Sequence, residues 1–232
     1  MIIGGMQKLT LLDYPGRVAA TVFFAGCDFR CPFCHNASLV LPERIGQGPT
    51  VTADDVLAYL RMRKGMLEGV CLTGGEPLAQ PGLDGFIRDI RSLGLAVKLD
   101  TNGSYPDRMK ELAGQGLIDY VAMDVKNGPS RYAATAGTAV DMGAIKDSVS
   151  WLLAGRVPFE FRTTVAAPLF DDGCFDEIGR WLTGAPRYWL QGFNDSGDLI
   201  ADGLTAYDRP AMEHFLEIVR RYIPQAALRG MD

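Results

Sequence analysis

Residues 18–36 read VAATVFFAGCDFRCPFCHN. The first eight are small, β-branched or aromatic, and the apolar run stops at Gly26. A short apolar run closed by a turn residue reads as a buried strand, and it is far too short to cross a bilayer. Directly after it come Cys27, Cys31 and Cys34, three of the five cysteines of the chain, spaced C-x3-C-x2-C. A strand that runs straight into a ligand-bearing loop is how parallel α/β folds build their sites. The fold therefore turns on whether other strands end the same way.

They do. Further strands are expected at 68–73, 95–100, 118–124, 158–165 and 186–191, beside 18–25. Helices fit between and after them at 52–63, 83–92, 107–113, 142–154, 174–183 and 209–222. Thr52 with Asp55 three positions on is an N-terminal capping pattern. Leu83, Phe86, Ile87 and Ile90 share one helix face, as do Met142, Ile145, Val149, Leu152 and Leu153. Repeated β-α alternation predicts an α/β protein with a parallel sheet and outer helices, either doubly wound or a curved partial barrel. The second strand runs into Thr73-Gly74-Gly75-Glu76-Pro77, and the third ends at Asp100-Thr101-Asn102-Gly103. The fourth ends at Met123-Asp124-Val125-Lys126, the fifth contains Arg162-Thr163-Thr164, and the sixth ends at Leu190-Gln191. Thiols, carboxylates, a lysine, an arginine and a Gly-Gly backbone are thus expected on one edge of one sheet.

The 232 residues are enough for one large domain with a full core. No linker, low-complexity tract or repeat divides the chain, so one domain over 1–232 is expected, with a core at about 17–191 and a C-terminal helical extension at 192–232. A net charge of −5 argues against nucleic acid or an anionic membrane surface as partner. Arg61-Met62-Arg63-Lys64 reads as a solvated helix end. The opening MIIGGMQKL has neither a charged start nor a sustained apolar core, so a cytoplasmic protein is expected. Clustered cysteines in a reducing compartment point to metal before disulfides.

A closed zinc site needs four ligands. His35 directly follows Cys34 and closes such a site awkwardly, Cys71 lies inside a strand, and Cys174 is remote in sequence. Structural zinc and free or redox-active thiols are the alternatives, but closely spaced thiolates suit an iron–sulfur cluster better. Three cysteines on a four-iron cluster leave one iron open to a substrate or cofactor. Gly74 and Gly75 permit close backbone approach, and Glu76 can accept hydrogen bonds from an ammonium group. Alone, that stretch is only a strand-to-loop turn.

The motif Cys27-Asp28-Phe29-Arg30-Cys31-Pro32-Phe33-Cys34 resembles the C-x3-C-x-aromatic-C signature of radical S-adenosylmethionine (radical SAM) enzymes. Cys34-His35-Asn36, Thr73 to Leu78, Asp100 to Gly103 and Asp124-Val125-Lys126 resemble the activating enzymes of glycyl radical proteins. Leu11-Leu12-Asp13-Tyr14-Pro15-Gly16 and the length are similar to the anaerobic ribonucleoside-triphosphate reductase activating group. The resemblance implies a partial (β/α)6 barrel whose Cys27, Cys31 and Cys34 hold one [4Fe-4S] cluster, SAM completing the open iron. It implies Phe33 and the His35 backbone near adenine, and Gly74, Gly75 and Glu76 at the methionine amino group. It also implies Asp100, Thr101, Asp124 and Lys126 lining the pocket, some around a monovalent cation, and Arg162 on the SAM carboxylate. Gln191 stands where a histidine is frequent, so no role carries over to it. No cysteine occurs at 37–70, so the ferredoxin-like insert of the longer activases is not expected.

The activity implied is reductive cleavage of SAM, fed by a flavodoxin or ferredoxin, and removal of a hydrogen atom from a glycine of a partner enzyme. No side chain need act as general base, so no catalytic residue is named beyond the ligands. Asp13, Tyr14 and the loop Asn127 to Tyr132 are candidates for a groove that admits the partner. The rival activities are a radical SAM enzyme for a small molecule, such as a deazapurine synthase, and an iron–sulfur electron carrier without chemistry of its own. Cys71 and Cys174 read as structural, His214 as a surface or packing residue, Trp151, Trp181 and Trp189 as packing residues, and Asp171-Asp172 as a helix cap.

Overall fold

The computed structural model describes residues 1–46 and 51–231. In chain order its elements are β1 (Ile3–Thr10), β2 (Ala19–Phe24), α1 (Ala37–Val40), α2 (Ala53–Met62), β3 (Gly69–Gly74), a 3-10 turn at Pro77–Ala79, α3 (Leu83–Ser92), β4 (Ala96–Thr101), α4 (Pro106–Gly114), β5 (Tyr120–Asp124), α5 (Tyr132–Ala136), α6 (Met142–Leu153), β6 (Phe159–Ala167), α7 (Asp172–Trp181), β7 (Tyr188–Gly192), β8 (Thr205–Ala206), α8 (Arg209–Arg220) and β9 (Ala226–Arg229). The six expected strands are β2 to β7, and every expected helix forms. The fold is α/β with mostly parallel strands, as the alternation predicts. No helix among the described residues is long and apolar enough to cross a membrane.

The chain divides into two compact units. The first comprises Met1–Asp28, Ser38–Thr101 and Tyr105–Val121, and the second Phe29–Ala37, Asn102–Ser104 and the chain from Ala122 onward. In the first, β2, β3 and β4 run parallel in that order, with Ala19 opposite Gly69 and Gly69 opposite Ala96. β1 lies antiparallel on the outer side of β2. β2 and β4 are buried almost throughout, which explains the apolar run of β2. Lys98 is tolerated inside β4 because its ammonium pairs with Asp100 two residues on, on the same strand face. α2 starts at the expected capping box: the Thr52 hydroxyl accepts from Asp55 N at 3.1 Å, and the Asp55 carboxylate accepts from Thr52 N at 3.0 Å. α3 buries Leu83, Phe86, Ile87 and Ile90, the predicted face.

In the second unit, β6, β7 and β9 run parallel, with β8 antiparallel on β6. Asp141 caps α6 through Gly143 N and Ala144 N, and Ile145, Val149 and Leu152 are buried, with Ser148 joining them through a bond to Gly103 O. Asp171 caps α7, accepting from Cys174 N at 3.0 Å, so the aspartate pair serves a helix start. Cys71 and Cys174 are buried, and His214 is exposed, 3.0 Å from Asp172. Trp181 packs on Tyr132, and the Trp189 indole donates to the buried Glu160.

β1, β8 and β9 were not expected. β1 carries polar Gln7 and Lys8 among glycines and lacks the apolar run that marked the others. The segment 192–232 is expected to be helical, yet it supplies β9, held in place where Arg229 stacks 4.2 Å over Trp189 and bonds Glu160.

Candidate functional site

The ends of β2, β3 and β4 bring several of the predicted site residues together within the first unit. Gly26 N donates to Leu39 O at 2.7 Å, and Gly26 O accepts from Glu76 N at 2.8 Å, so the backbone just before Cys27 is fastened to the Gly-Gly-Glu turn. Gly75 N donates to Phe24 O at 2.8 Å. A Cβ on Gly75 would lie 2.0 Å from Gly26 O, and one on Gly74 2.5 Å from the Phe24 backbone. Gly74 also takes a φ of +107°. The sequence suggested glycine for the approach of a ligand. The structure gives a nearer reason, the approach of the neighbouring strand end.

Glu76 has no exposed surface. One carboxylate oxygen accepts from Leu78 N at 3.0 Å, capping the 3-10 turn, and from the Thr101 hydroxyl at 2.9 Å. The acid is therefore fixed by two neutral donors, one of them from the next strand end. Asp100, next to Thr101 in sequence, is buried and held by Lys98. Cys27 is half-buried, its thiol 3.9 Å from Asp28 Oδ1.

Asp13 and Tyr14 lie at the other edge of this unit. Tyr14 is buried against Ala19 and Ala96, the first residues of β2 and β4, and Asp13 accepts from Thr21 at 2.5 Å. These are amino ends of strands, so neither residue can line a groove at the carboxyl ends. The β1–β2 turn that carries them was read without β1, and so without its direction.

The second unit carries Cys31 and Cys34. Cys34 N bonds Cys31 O at 3.0 Å, making a tight turn around Phe33, which is buried. Arg30 N bonds Ala136 O at 2.9 Å, and Gly137 lies so close that a Cβ there would meet Arg30 O at 2.0 Å. Ala201 N donates to Pro32 O, Ala37 N to Asp198 O and Ser196 Oγ to His35 O, at 3.1, 3.2 and 3.3 Å. The loop 195–201 thus braces the cysteine turn by its backbone. Sequence reading passed over it, and its local signal was the Asp195-Ser196-Gly197 turn, closed by Gly197 N on Asp195. His35 as a residue is exposed.

Burial pushes the Cys31 thiol up to about 11, with Cys34 adding to the rise and Lys126 opposing it. Cys34 is raised too, again by burial. A bound metal is what turns such thiols into thiolates. None of the five cysteines is in a disulfide. Among the described residues no three His, Cys, Asp or Glu side chains converge as the ligands of a single ion do. A cluster asks for a different geometry, one thiolate per iron, and loop-borne thiols outside any disulfide fit it.

At the end of β5, Asp124 meets two cations. Arg162 Nε, from β6, donates to Oδ1 at 2.5 Å, and Lys126 Nζ lies 3.5 Å from Oδ2. Burial alone would raise the Asp124 carboxyl, but Arg162 and then Lys126 more than offset it and hold it well below the usual carboxylate range. The loop after Lys126 is pinned. Buried Asn127 donates to Thr135 and Leu169 O, and Ser130 donates to Glu177 through both N and Oγ. Gln191 closes β7, half-buried, opposite Thr164 and Arg229.

The model of the radical SAM superfamily matches residues 21–173, about two thirds of the sequence and all of the strands that carry these groups except β7. The chain belongs to the radical SAM superfamily. That superfamily works with a [4Fe-4S] cluster and S-adenosylmethionine, and the chain is an enzyme of this kind. A Methanocaldococcus jannaschii protein, provisionally named a glycyl-radical enzyme activating enzyme, is 27% identical over all of this chain and 97% of its own length. The 7-carboxy-7-deazaguanine synthase of Methanopyrus kandleri is 34% identical over 49% of this chain and 51% of that protein. The pyruvate formate-lyase-activating enzyme of Clostridium pasteurianum is 32% identical over 54% of this chain and 52% of that protein. Among solved structures, Streptococcus suis SuiB bound to S-adenosylmethionine superposes with a TM-score of 0.69 at 17% identity, over 90% of this chain and 52% of SuiB.

Proposed function

We propose that this radical SAM enzyme is an activase that places a glycyl radical on a partner enzyme, the anaerobic ribonucleoside-triphosphate reductase. It acts as one domain over 1–232, in the cytoplasm, with a flavodoxin or ferredoxin as reductant. One observation carries the reading: the relative that matches the chain from end to end bears an activase name.

Bound together, the cluster and SAM supply a one-electron cleavage whose outcome is loss of a hydrogen atom from the target glycine. The chain's own residues bind, orient and neutralise. Cys27, Cys31 and Cys34 are the iron ligands, and the braced turn from Cys31 to Cys34 keeps two of them at fixed spacing. Glu76 takes the methionine ammonium, its carboxylate already oriented by Leu78 N and Thr101. Gly74 and Gly75 bring the backbone in beside it. Phe33 and the His35 backbone take the adenine side. Arg162 takes the SAM carboxylate, its guanidinium plane fixed by Asp124. Asp100, Thr101, Asp124 and Lys126 complete the polar wall, and the carboxylates among them suit a monovalent cation.

The Methanopyrus kandleri match favours a second reading, a small-molecule radical SAM enzyme of the deazapurine type. The regular C-x3-C-x2-C spacing speaks for the activase, because deazapurine synthases often alter it. The test is anaerobic electron paramagnetic resonance of the reconstituted, reduced protein with SAM and the reductase of the same organism. A glycyl-type doublet that needs both SAM and this protein is expected. A cluster signal that shifts with SAM but yields no doublet moves the substrate to a small molecule. A signal indifferent to SAM overturns both readings.

A further inference from the structure

Among the described residues seven large apolar side chains are exposed, and five of them gather at one place in the first unit. Leu9, Leu11 and Leu12 leave the end of β1, with Leu12 87% exposed, and Met62 and Met66 leave the end of α2. The two ends touch. Tyr59 of α2 donates its hydroxyl to Lys8 O at 2.9 Å, and Lys8 Nζ sits 5.8 Å over the Tyr59 ring. Arg63 lies 5.5 Å over the same ring and reaches Met66 Sδ at 3.8 Å. Clustered exposed leucine and methionine beside arginine is the make-up of a protein-docking surface.

The patch is cationic on a chain of net charge −5. Lys8, Arg17, Arg61 and Lys64 are exposed around it, with Arg63 half-buried at its centre. Of the nearby acids, Asp13 is bonded to Thr21 and Glu68 to Val18 N, neutral donors that cancel no charge, and the five cations outnumber the two carboxylates. Two copies meeting patch to patch about a two-fold axis would oppose like charges, which disfavours self-pairing. The chain's net charge of −5 works against an anionic membrane surface as the partner. The complementary partner is a protein segment with apolar side chains among carboxylates.

We propose that this basic, apolar patch is where the protein substrate docks through an acidic, apolar segment, an inference that rests on the activase reading above. The patch sits at the amino ends of β2 and β3, because Thr10 pairs with Ala19 and Ala19 with Gly69. Cys27 and the Gly-Gly-Glu turn follow the carboxyl ends of the same two strands, roughly 17 Å along them. Within this unit a partner can therefore be gripped without covering the strand ends. Docking supplies affinity at one edge and leaves the glycine loop free to enter at the other.

The experiment measures binding of the anaerobic reductase to the full chain and to two variants, Leu12→Asp and the double variant Arg61→Glu with Lys64→Glu. These side chains are exposed and outside the site. SAM cleavage in the absence of reductase is therefore expected to stay at the wild-type rate, which also reports that the fold is intact. Leu12→Asp is expected to weaken binding by about tenfold or more. The charge-reversed variant is expected to lose both affinity and its salt dependence. Wild-type binding and doublet yield in both variants would overturn the docking surface and leave the activase reading standing. An unaltered chain that neither binds the reductase nor yields a doublet with it overturns the activase reading and the occupant named here. A change in the mass of the chain alone in sedimentation, in either variant, would make the patch a self-contact instead.

Discussion

The turn Gly74–Glu76 in the first unit and the cluster of Asp124, Lys126 and Arg162 in the second hold carboxylates by opposite means. Glu76 is fully buried and is fixed by a backbone N–H and a hydroxyl, in a turn whose glycines leave no volume for a methyl group. Asp124 keeps 29% of its side chain exposed and is fixed by two cations. The first arrangement depends on shape and fails when volume is added. The second depends on charge and fails when charge is removed or protons are supplied.

Two substitutions test the extremes. Cys31→Ala removes the most buried of the three thiols and should abolish cluster assembly and SAM cleavage together, read as iron and sulfide content and as uncoupled cleavage. Retained activity would sink the ligand assignment. Gly75→Ala tests shape. Its new methyl would lie 2.0 Å from Gly26 O, a backbone atom that cannot yield alone, so a loss of about 3 kcal/mol or more is expected in urea denaturation of the apoprotein. A loss under about 1 kcal/mol would show that the turn is held by something other than volume.

The strand ends were legible because their chemistry is local. An apolar run followed by Cys27, Gly74, Asp100 or Asp124 announces both the strand and its functional end, and β2 to β5 fall within two residues of the expected bounds. α2 and α7 were legible through Thr52 and Asp171, which cap as expected. What stayed hidden depends on pairing between remote segments. β1 and β9 are strands through their neighbours and not through their own composition, and Asp13 and Tyr14 were misplaced for want of β1. The loop 195–201 supports the cysteine turn by backbone bonds, which leave no residue-type signature. Gly74 and Gly75 are expected to let a ligand approach, and what the structure shows close to them is the backbone of Phe24 and of Gly26 respectively.

Arg162→Met sharpens the electrostatic half. Removing one of two partners of a partly exposed carboxylate should cost about 1–2 kcal/mol near neutral pH. The sign with pH follows from the lowered Asp124 carboxyl. The folded chain binds fewer protons at this group than the unfolded chain, whose carboxyl titrates near about 4. The stabilisation is therefore full above that pH and is lost as pH falls below it. The variant returns Asp124 toward its ordinary value and has less to lose. Wild type and variant should thus differ most at pH 7 and converge in acid, measured by urea denaturation at several pH values. A difference that stays constant with pH would assign the role of Arg162 to packing.

The smallest effect has the opposite sign and uses the same chemical change as Gly75→Ala. Gly85 lies in the first turns of α3, exposed, with nothing within 4 Å of a built Cβ and without a left-handed φ. A methyl there meets no backbone, and alanine restricts the unfolded chain more than glycine does while suiting a helix better. Gly85→Ala should therefore stabilise by about 0.5–1 kcal/mol. SAM cleavage should not change, because α3 contributes no group to the site. Two glycines ten residues apart would then respond to one added carbon with opposite signs, because a strand-end backbone crowds one and only water faces the other. Destabilisation by Gly85→Ala would mean that α3 carries a constraint on its exposed face, and the contrast between volume and charge would no longer divide along the site.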